Sequence, residues 1–195
     1  MYLYFMKQAD QYTCHSGGAE GADAYFEFFS ERFRVRTVAY SYKTRFHRSV
    51  NKYELTEAEF NEGRIRVLQA NEVLKRSNIQ RYLNLLARNW HQVKNADEVF
   101  AIAPIRLNNK EFKIKGGSAW AVQMAVNAGK NTFVYDQEQL LWFYWDKTSE
   151  VFKILKGEPR ISTLNFAGIG TRNINLFGIE AIEQLYKNTF TNNGK

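Results

Sequence analysis

The sequence around the first glycine cluster is Cys14-His15-Ser16-Gly17-Gly18-Ala19-Glu20-Gly21-Ala22-Asp23-Ala24-Tyr25-Phe26, and the fold is predicted outward from it. A short strand is expected to end at His15, and a helix with its apolar residues on one side is expected to begin at Ala22. Strand, glycine turn and helix form a geometry that holds a phosphate, because glycines let the backbone approach an anion and the first helix amides point at it. The alternative is a tight turn without a ligand, in which Glu20 and Asp23 serve the start of the helix.

Two other glycine turns stand in the same context. Asp97–Ala103 is almost wholly apolar after its first two residues, which is typical of a strand buried on both faces of a parallel sheet. After it, Gly116-Gly117-Ser118-Ala119 opens a helix, and the apolar strand Leu164–Ile169 later enters the turn Gly168-Ile169-Gly170-Thr171-Arg172. Strands alternate with helices, which predicts an α/β, Rossmann-like, mainly parallel sheet with helices on both faces. Because ligands lie beyond the carboxyl ends of the strands in such sheets, the three turns predict one shared crevice.

Other segments complete the predicted chain path. Arg34–Tyr40 alternates polar and apolar residues and is predicted to be a strand. Ser41–Tyr53 and Ile105–Lys115 are predicted to be polar loops. Trp142–Leu155 predicts an aromatic β-hairpin, an insertion at about residues 140–156 that covers core, contacts a second subunit or stacks on a ligand. The chain is expected to form one domain over residues 1–195.

Two helices are predicted between residues 56 and 93. Glu59 stands three residues after Thr56, which predicts a capping box at the start of a helix that ends near Leu74. The inward residues of this helix are predicted to be Phe60, Ile65, Val67 and Leu68. The next helix is expected to run from about Ile79 to Val93. Its apolar stripe is predicted at Leu83, Leu86, Ala87 and Trp90.

The composition narrows the functional classes. A single cysteine excludes an internal disulfide, and no apolar run approaches the about 20 residues that span a bilayer, so no membrane partner is predicted. Met1–Met6 lacks the features of a signal peptide, and a cytoplasmic location is expected. The net charge is +7, and Glu31–Lys94 holds 14 Lys/Arg against 6 Asp/Glu. This basic segment predicts attraction to the phosphates of a nucleotide or nucleic acid, or else solvated helix faces.

Together, the three turns resemble those of the SLOG superfamily of Rossmann-like domains. Ser16–Asp23 is similar to the serine-glycine-glycine-alanine loop of that family, Phe166–Arg172 is similar to its GxGSR loop, and Gly116–Ala119 resembles its second glycine-rich loop. Ala87–Val93 resembles a segment of uncharacterised phage-type members. The superfamily includes the Lonely Guy phosphoribohydrolases, the DNA-processing protein A family and ligand-sensing domains of bacterial defence effectors. The resemblance covers most of the chain outside the aromatic hairpin. It implies a homodimer or larger homo-oligomer, in the host cytoplasm if the chain is phage-encoded.

The order of the motifs differs from that of the family. The strand before the GxGSR loop normally opens the domain, whereas here the corresponding strand, Leu164–Ile169, comes last. The resemblance therefore implies a circular permutation, which domain termini that lie close together permit. It predicts that the C-terminal strand is central, between the strands Tyr12–His15 and Asp97–Ala103.

The resemblance also has a consequence for catalysis. Lonely Guy enzymes carry a Pro-Gly-Gly-x-Gly-Thr-x-x-Glu motif with a catalytic glutamate, and Gln123 stands at the position of that glutamate here. Lys115, Ala119 and Trp120 replace the proline, the third glycine and the threonine. A glutamine does not act as a carboxylate base or stabilise an oxocarbenium charge as a glutamate does. Ordinary phosphoribohydrolase activity is therefore not expected.

The leading hypothesis is binding of a nucleotide or a nucleotide-derived, ADP-ribose-like molecule, which in a phage setting sequesters a signalling nucleotide. Amides of the glycine turns, among them those of Gly17, Gly18, Gly117, Ser118 and Gly170, are predicted to hold phosphate, and arginines to add charge-assisted pairs. Asn89, Glu20 or Asp23 is predicted to hold ribose hydroxyls. The predicted ligand-binding residues are Ser16, Gly17, Gly18, Ala19, Glu20, Asp23, Arg88, Asn89, Gly116, Gly117, Ser118, Gly168, Gly170, Thr171 and Arg172.

Two other functions stay open from the sequence. One is nucleotide N-glycosidase activity, for which Glu20 or Asp23 is the predicted catalytic carboxylate. The other is binding of single-stranded DNA through the arginines and aromatic residues of Arg32–Tyr53. No cofactor and no metal site are predicted, because the three histidines lack ligand spacing and Cys14 is alone. The histidines are expected to be structural or on the surface, and Cys14 to lie in the core.

Overall fold

The structure, a computed structural model, describes residues 9–44, 47, 49–77, 79–108 and 110–191. Met1–Met6 lies outside these residues. Among the described residues, no helix has the length and apolar character of a membrane span. In chain order the elements are β1 (Thr13–Ser16), α1 (Ala22–Phe33), β2 (Arg36–Ser41), β3 (Lys52–Glu54), α2 (Glu57–Leu74), α3 (Ile79–Lys94), β4 (Glu98–Ile102), β5 (Ile105–Asn108), β6 (Glu111–Ile114), α4 (Ser118–Asn127), β7 (Asn131–Asp136), β8 (Leu141–Asp146), β9 (Val151–Ile154), β10 (Asn165–Gly170) and α5 (Leu176–Phe190).

The main sheet has the strand order β3-β2-β1-β10-β4-β7-β8-β9. The strands from β3 to β7 in this order pair in parallel, whereas β8 and β9 are antiparallel. The C-terminal strand β10 lies between β1 and β4, since Phe166 is in register with Cys14 on one side and Glu98 on the other. The predicted α/β class, the mainly parallel sheet and the central position of the last strand are confirmed.

Helices cover both faces of the sheet, and the alternation of side chains along β10 shows which helices lie on each face. Phe166 belongs to a buried cluster with Phe26 of α1 and Tyr186 of α5. Its neighbour Ala167 belongs to a second cluster, with apolar residues of α2, α3 and α4. Thus α1 and α5 lie on one face, and α2, α3 and α4 lie on the other. The strand β4, which lies between these two layers of helices, is buried over its whole length.

Helix α2 begins with the predicted capping box, in which the Thr56 and Glu59 side chains each accept from the other residue's amide. The prediction of its inward face was wrong for two residues, since Ile65 and Leu68 are 57% and 46% exposed. The buried residues are Phe60, Gly63, Val67 and Ala70. The glycine in this stripe allows close approach of α3, because a Cβ at Gly63 would overlap the carbonyl oxygen of Ala87. On α3, the predicted residues Leu86, Ala87 and Trp90 are buried.

Two segments predicted to be loops contain strands. Ile105–Lys115 forms the antiparallel hairpin β5–β6, a separate two-stranded sheet, and β3 at Lys52–Glu54 extends the main sheet beside β2. These strands have three or four residues, too few for the alternation of polar and apolar residues to be distinctive. The aromatic hairpin formed by β8 and β9 is confirmed, and it continues the main sheet beyond β7.

Candidate functional site

The turns after β1 and β10 contact each other at the carboxyl edge of the sheet. The amide of Ala22 donates to the carbonyl oxygen of Thr171 at 3.0 Å. Gly21 has a φ of 94°, and a Cβ there would overlap the same oxygen, so this position requires glycine. The Gly116–Ser118 turn lies at the same edge, because the amide of Lys115 donates at 2.8 Å to Pro104, just after β4. The three glycine turns therefore lie at one edge of the sheet.

This edge contains the topological switch point of the sheet. The helix that follows β10 covers one face and the helix α4 that follows β4 covers the other, so the chain leaves these neighbouring strands in opposite directions. In open α/β sheets, ligands bind in the crevice at such a point. At Gly116 and Gly117 a Cβ would meet nothing within 4 Å. The turn that opens α4 is therefore accessible, and no side chain caps the helix.

A buried ion pair lies over the end of β1. Arg88 on α3 and Asp23 on α1 come from opposite faces of the sheet, and Arg88 Nη2 is 3.6 Å from Asp23 Oδ2. The two residues are 6% and 3% exposed. The guanidinium donates to the carbonyl oxygen of Gly17 and to Asn89 Oδ1, and Asp23 Oδ1 accepts from the amide of Gly170 at 3.2 Å. The fold thus joins these predicted site residues in one polar network. The Gly170 amide, which was predicted to hold phosphate, is already bonded within it.

Burial governs the protonation of this pair. It raises the pKa of Asp23 to about 6, against the opposing effect of the Arg88 charge, and the charge of Glu27 adds to the rise. Burial also lowers the pKa of Arg88, while Asp23 opposes that change. The Nε atom of Arg88 is buried and has no hydrogen-bond partner among the described residues. The network therefore carries a carboxyl group with a pKa raised to about 6 and a guanidinium whose Nε–H has no partner among the described residues.

Side chains fill the space over the Gly17–Gly18 turn. A Cβ at Gly17 would overlap the guanidinium of Arg88, and a Cβ at Gly18 would overlap the ring of His47. The ring nitrogens of His47 are buried without a partner in the described part of the chain, and burial together with Arg88 lowers the pKa of this ring. The amide of Gly18 donates to Ser16 Oγ at 3.2 Å. A phosphate at this turn would have to displace these side chains.

Sequence reasoning missed Glu27 and Ser49. The hydroxyl of Ser16 donates to Glu27 Oε1 at 2.7 Å, and the hydroxyl of Ser49 donates to the other carboxylate oxygen. Glu27 stands four residues after Asp23 on α1, so helical spacing places both carboxylates on one face. This spacing is the signal in the sequence that could have identified Glu27. Ser49 belongs to the connection between β2 and β3, and nothing in the sequence connects it with α1.

The other predicted site residues differ in burial and contacts. Glu20 and Arg172 are exposed, and Ala19 is half-buried, with its backbone amide bonded to the Asp23 carboxyl group. Gly168 serves packing, because a Cβ there would overlap the ring of Phe26. Gln123 donates to Asn127 Oδ1 at 2.8 Å and lines a cleft together with Lys115 and Ala119. Gln123, which the resemblance aligns with the Lonely Guy glutamate, is therefore bonded within α4 rather than to Asp23.

The remaining polar candidates belong to the protein interior. His15 Nδ1 lies 3.1 Å from the Tyr40 hydroxyl, and His91 Nε2 lies 2.8 Å from the carbonyl oxygen of Glu59. Burial raises the pKa of the Cys14 thiol to about 12, and the predicted core position of this residue is confirmed. Within the described ranges, no group of three His, Cys, Asp or Glu residues is placed to hold a metal ion.

Among the described residues of the predicted DNA-binding segment, aromatic side chains pack or bond within the protein. Tyr40 is 6% exposed, and Tyr42 packs against Phe60 in a tilted arrangement with ring centroids 5.9 Å apart. Tyr53 is exposed, but its hydroxyl donates to Glu59 at 3.0 Å. Other residues of that segment lie outside the described part of the chain: Arg45, Phe46 and Arg48.

Comparison with protein-family models, with curated proteins and with solved structures finds no match for this chain. The chemistry of the carboxyl edge is therefore the basis for assigning a function. At that edge the Gly116–Ser118 turn is accessible, whereas side chains cover the polar network around Arg88.

Proposed function

We propose that the protein binds a nucleotide or a nucleotide-derived, ADP-ribose-like molecule at the carboxyl edge of the sheet. The observation that carries this proposal is the position of β10 between β1 and β4, which collects the glycine turns at the topological switch point. The proposal includes membership of the SLOG superfamily, as a circularly permuted member. It places the activity in the cytoplasm, in a homodimer or larger homo-oligomer, where a phage-encoded copy sequesters a signalling nucleotide.

Charge at the open turns supports this proposal. Arg172 is exposed directly after β10, and Lys115 is exposed directly before Gly116. Both side chains are therefore open to an anion at this edge, and hydrogen bonds to ionised groups are the strong ones. Arg88 is buried and donates to the carbonyl oxygen of Gly17.

Isothermal titration calorimetry with ADP-ribose, ADP and pyrophosphate tests the proposal. We expect Arg172→Ala to weaken nucleotide binding about tenfold, because a hydrogen bond to a charged group contributes about 1.5 to 3 kcal/mol. Arg81→Ala, which removes an exposed arginine of α3, is the matched control and should bind as the wild type does. Absence of binding to all three compounds, or equal losses in the two variants, would contradict the proposal.

A nucleotide N-glycosidase is the second candidate, and one observation favours it. The pKa of Asp23 is raised to about 6, the range in which a carboxyl group serves as an acid or base near neutral pH. Chromatography after prolonged incubation with nucleotides measures released base. Release of base that is lost in Asp23→Asn and retained in Glu20→Gln would establish hydrolysis with Asp23 as the carboxylate. If the wild type releases no base, hydrolysis is contradicted and the binding proposal stands without it.

A further inference from the structure

A cleft of about 630 Å³ lies beside the Gly116–Ser118 turn. We call it the hairpin cleft, because residues of the β5–β6 hairpin and of the aromatic β8–β9 hairpin line it together with α4 and the end of α2. Lys115 and Ala119, the residues on either side of the glycine turn, are part of the lining. Its size is in the range of small-molecule sites, roughly 300 to 1,000 Å³. The accessible turn and the cleft therefore form one continuous surface.

Aromatic side chains give the cleft a surface for a planar ring. Phe112 from β6, Trp145 from β8 and Phe152 from β9 all line it. The rings of Trp145 and Phe152 lie 5.1 Å apart, and Phe112 packs on Phe143 at 4.8 Å, so the core holds this group of rings in place. Trp145 is half-buried, which leaves part of its ring accessible. Stacking of a base on an aromatic side chain contributes about 1 to 3 kcal/mol.

The border between the cleft and the glycine turn is cationic. Arg76 Nη1 donates to the carbonyl oxygen of Gly116 at 2.6 Å, and its Nη2 donates to Ile114 at 2.8 Å. The guanidinium lies 4.8 Å over the ring of Trp120, which fixes its position further. Lys115 is exposed beside it. Of the acidic residues in the lining, Glu111 is paired with Lys113, and Glu150 lies at the turn between β8 and β9. An anion is thus favoured at the border with the turn.

We infer that the hairpin cleft holds the base of the nucleotide, with a phosphate at Arg76, Lys115 and the Gly116–Ser118 turn. This inference rests on the proposed function and names the chemistry that the site selects, an aromatic ring joined to a phosphate. A free phosphate satisfies only the cationic border, and a free base satisfies only the aromatic rings. The Gly17–Gly18 turn, which Arg88 and His47 cover, then has a structural role at this edge and does not bind the phosphate.

Titration with ADP and with pyrophosphate separates the two halves of the site. We expect Trp145→Ala to weaken ADP binding about tenfold and to leave pyrophosphate binding unchanged, since only ADP carries a base. Tyr144→Ala is the matched control, because Tyr144 precedes Trp145 on β8 and points to the opposite face of the sheet. It should bind both compounds as the wild type does. Lys115→Ala should weaken both.

A second variant keeps the test decisive if Trp145→Ala is unstable. Gln123 lies in the lining, and Gln123→Trp places a bulky side chain in the cleft without touching the core. It should block ADP and still bind pyrophosphate. ADP binding that is equal in the wild type and in the stable cleft variants would overturn the inference and leave the proposed function standing. Failure of the wild type to bind ADP and pyrophosphate would overturn the inference, and if ADP-ribose also fails to bind, the proposed function falls with it.

Discussion

The buried ion pair over β1 allows the sharpest prediction about this protein. Arg88→Met keeps much of the side-chain volume, removes the bonds to Gly17 and Asn89, and leaves the Asp23 carboxyl group buried without the charge 3.6 Å away. Removing one member of a buried pair costs about 3 to 5 kcal/mol, because the other member stays desolvated. Protonation of Asp23 relieves part of this cost, so we expect the free energy of unfolding at pH 7 to fall by about 3 kcal/mol.

A double variant tests whether the loss comes from the unpaired carboxylate. Asp23→Asn in the Arg88→Met background removes that charge and keeps an oxygen that accepts from the Gly170 amide. Residues in direct contact show coupling energies of about 0.5 to 3 kcal/mol. The double variant should therefore be more stable than the sum of the two single losses predicts.

Urea unfolding at pH 7, followed by tryptophan fluorescence and circular dichroism, measures these energies. Arg81→Met on the exposed side of α3 is the control, and its change should stay within about 0.5 kcal/mol. A loss below about 1 kcal/mol for Arg88→Met, or strict additivity in the double variant, would refute the assignment of Arg88 and Asp23 as a mutually compensating buried pair.

Three further predictions concern the same edge and the core beneath it. Folding raises the pKa of Asp23 from 3.8 to about 6, so the folded state binds this proton more tightly than the unfolded state does. The contribution of Asp23 to the free energy of unfolding should therefore fall by about 3 kcal/mol as the pH rises from about 4 to about 6, and it should stay constant at higher pH. Asp23→Asn should lack this decline when unfolding is compared across pH with the wild type. Gly17→Ala should cost about 1 to 3 kcal/mol because its Cβ meets the buried guanidinium, whereas Gly117→Ala, with open space, should stay within about 0.5 kcal/mol in thermal melts. The Cys14 thiol, with a pKa of about 12, should react with a disulfide reagent at pH 8 only after denaturation, and a fast reaction in the native state would contradict its burial.

Elements whose signals lie within a few residues were predictable. The capping box of α2 depends on Thr56 and Glu59 alone, and the apolar run of β4 indicates burial on both faces. The central position of β10 was implied by the resemblance of the glycine turns to a family whose sheet order puts the corresponding strand in the middle, and the register with β1 and β4 confirms it.

Errors arose where burial depends on a distant partner. Ile65 and Leu68 are the more hydrophobic residues of α2, yet the helix turns Gly63 inward, because α3 approaches its backbone closely at Ala87. The hairpin β5–β6 was missed because its buried residues are few. Ile105 and Ile114, which pair with each other, are buried, whereas most of the intervening side chains are exposed.

The sequence by itself determined that strands end in glycine turns at one edge of a parallel sheet, since a turn depends on the backbone freedom of a few adjacent residues. Only the tertiary structure decided that Arg88 reaches Asp23 from the opposite face, that Ser16 and Ser49 share the Glu27 carboxylate, and that the aromatic hairpin meets the Gly116 turn at a cleft. The physical reason is that such contacts join segments far apart in the chain. Their distances are set by how the helices pack on the two faces of the sheet, which no local pattern encodes.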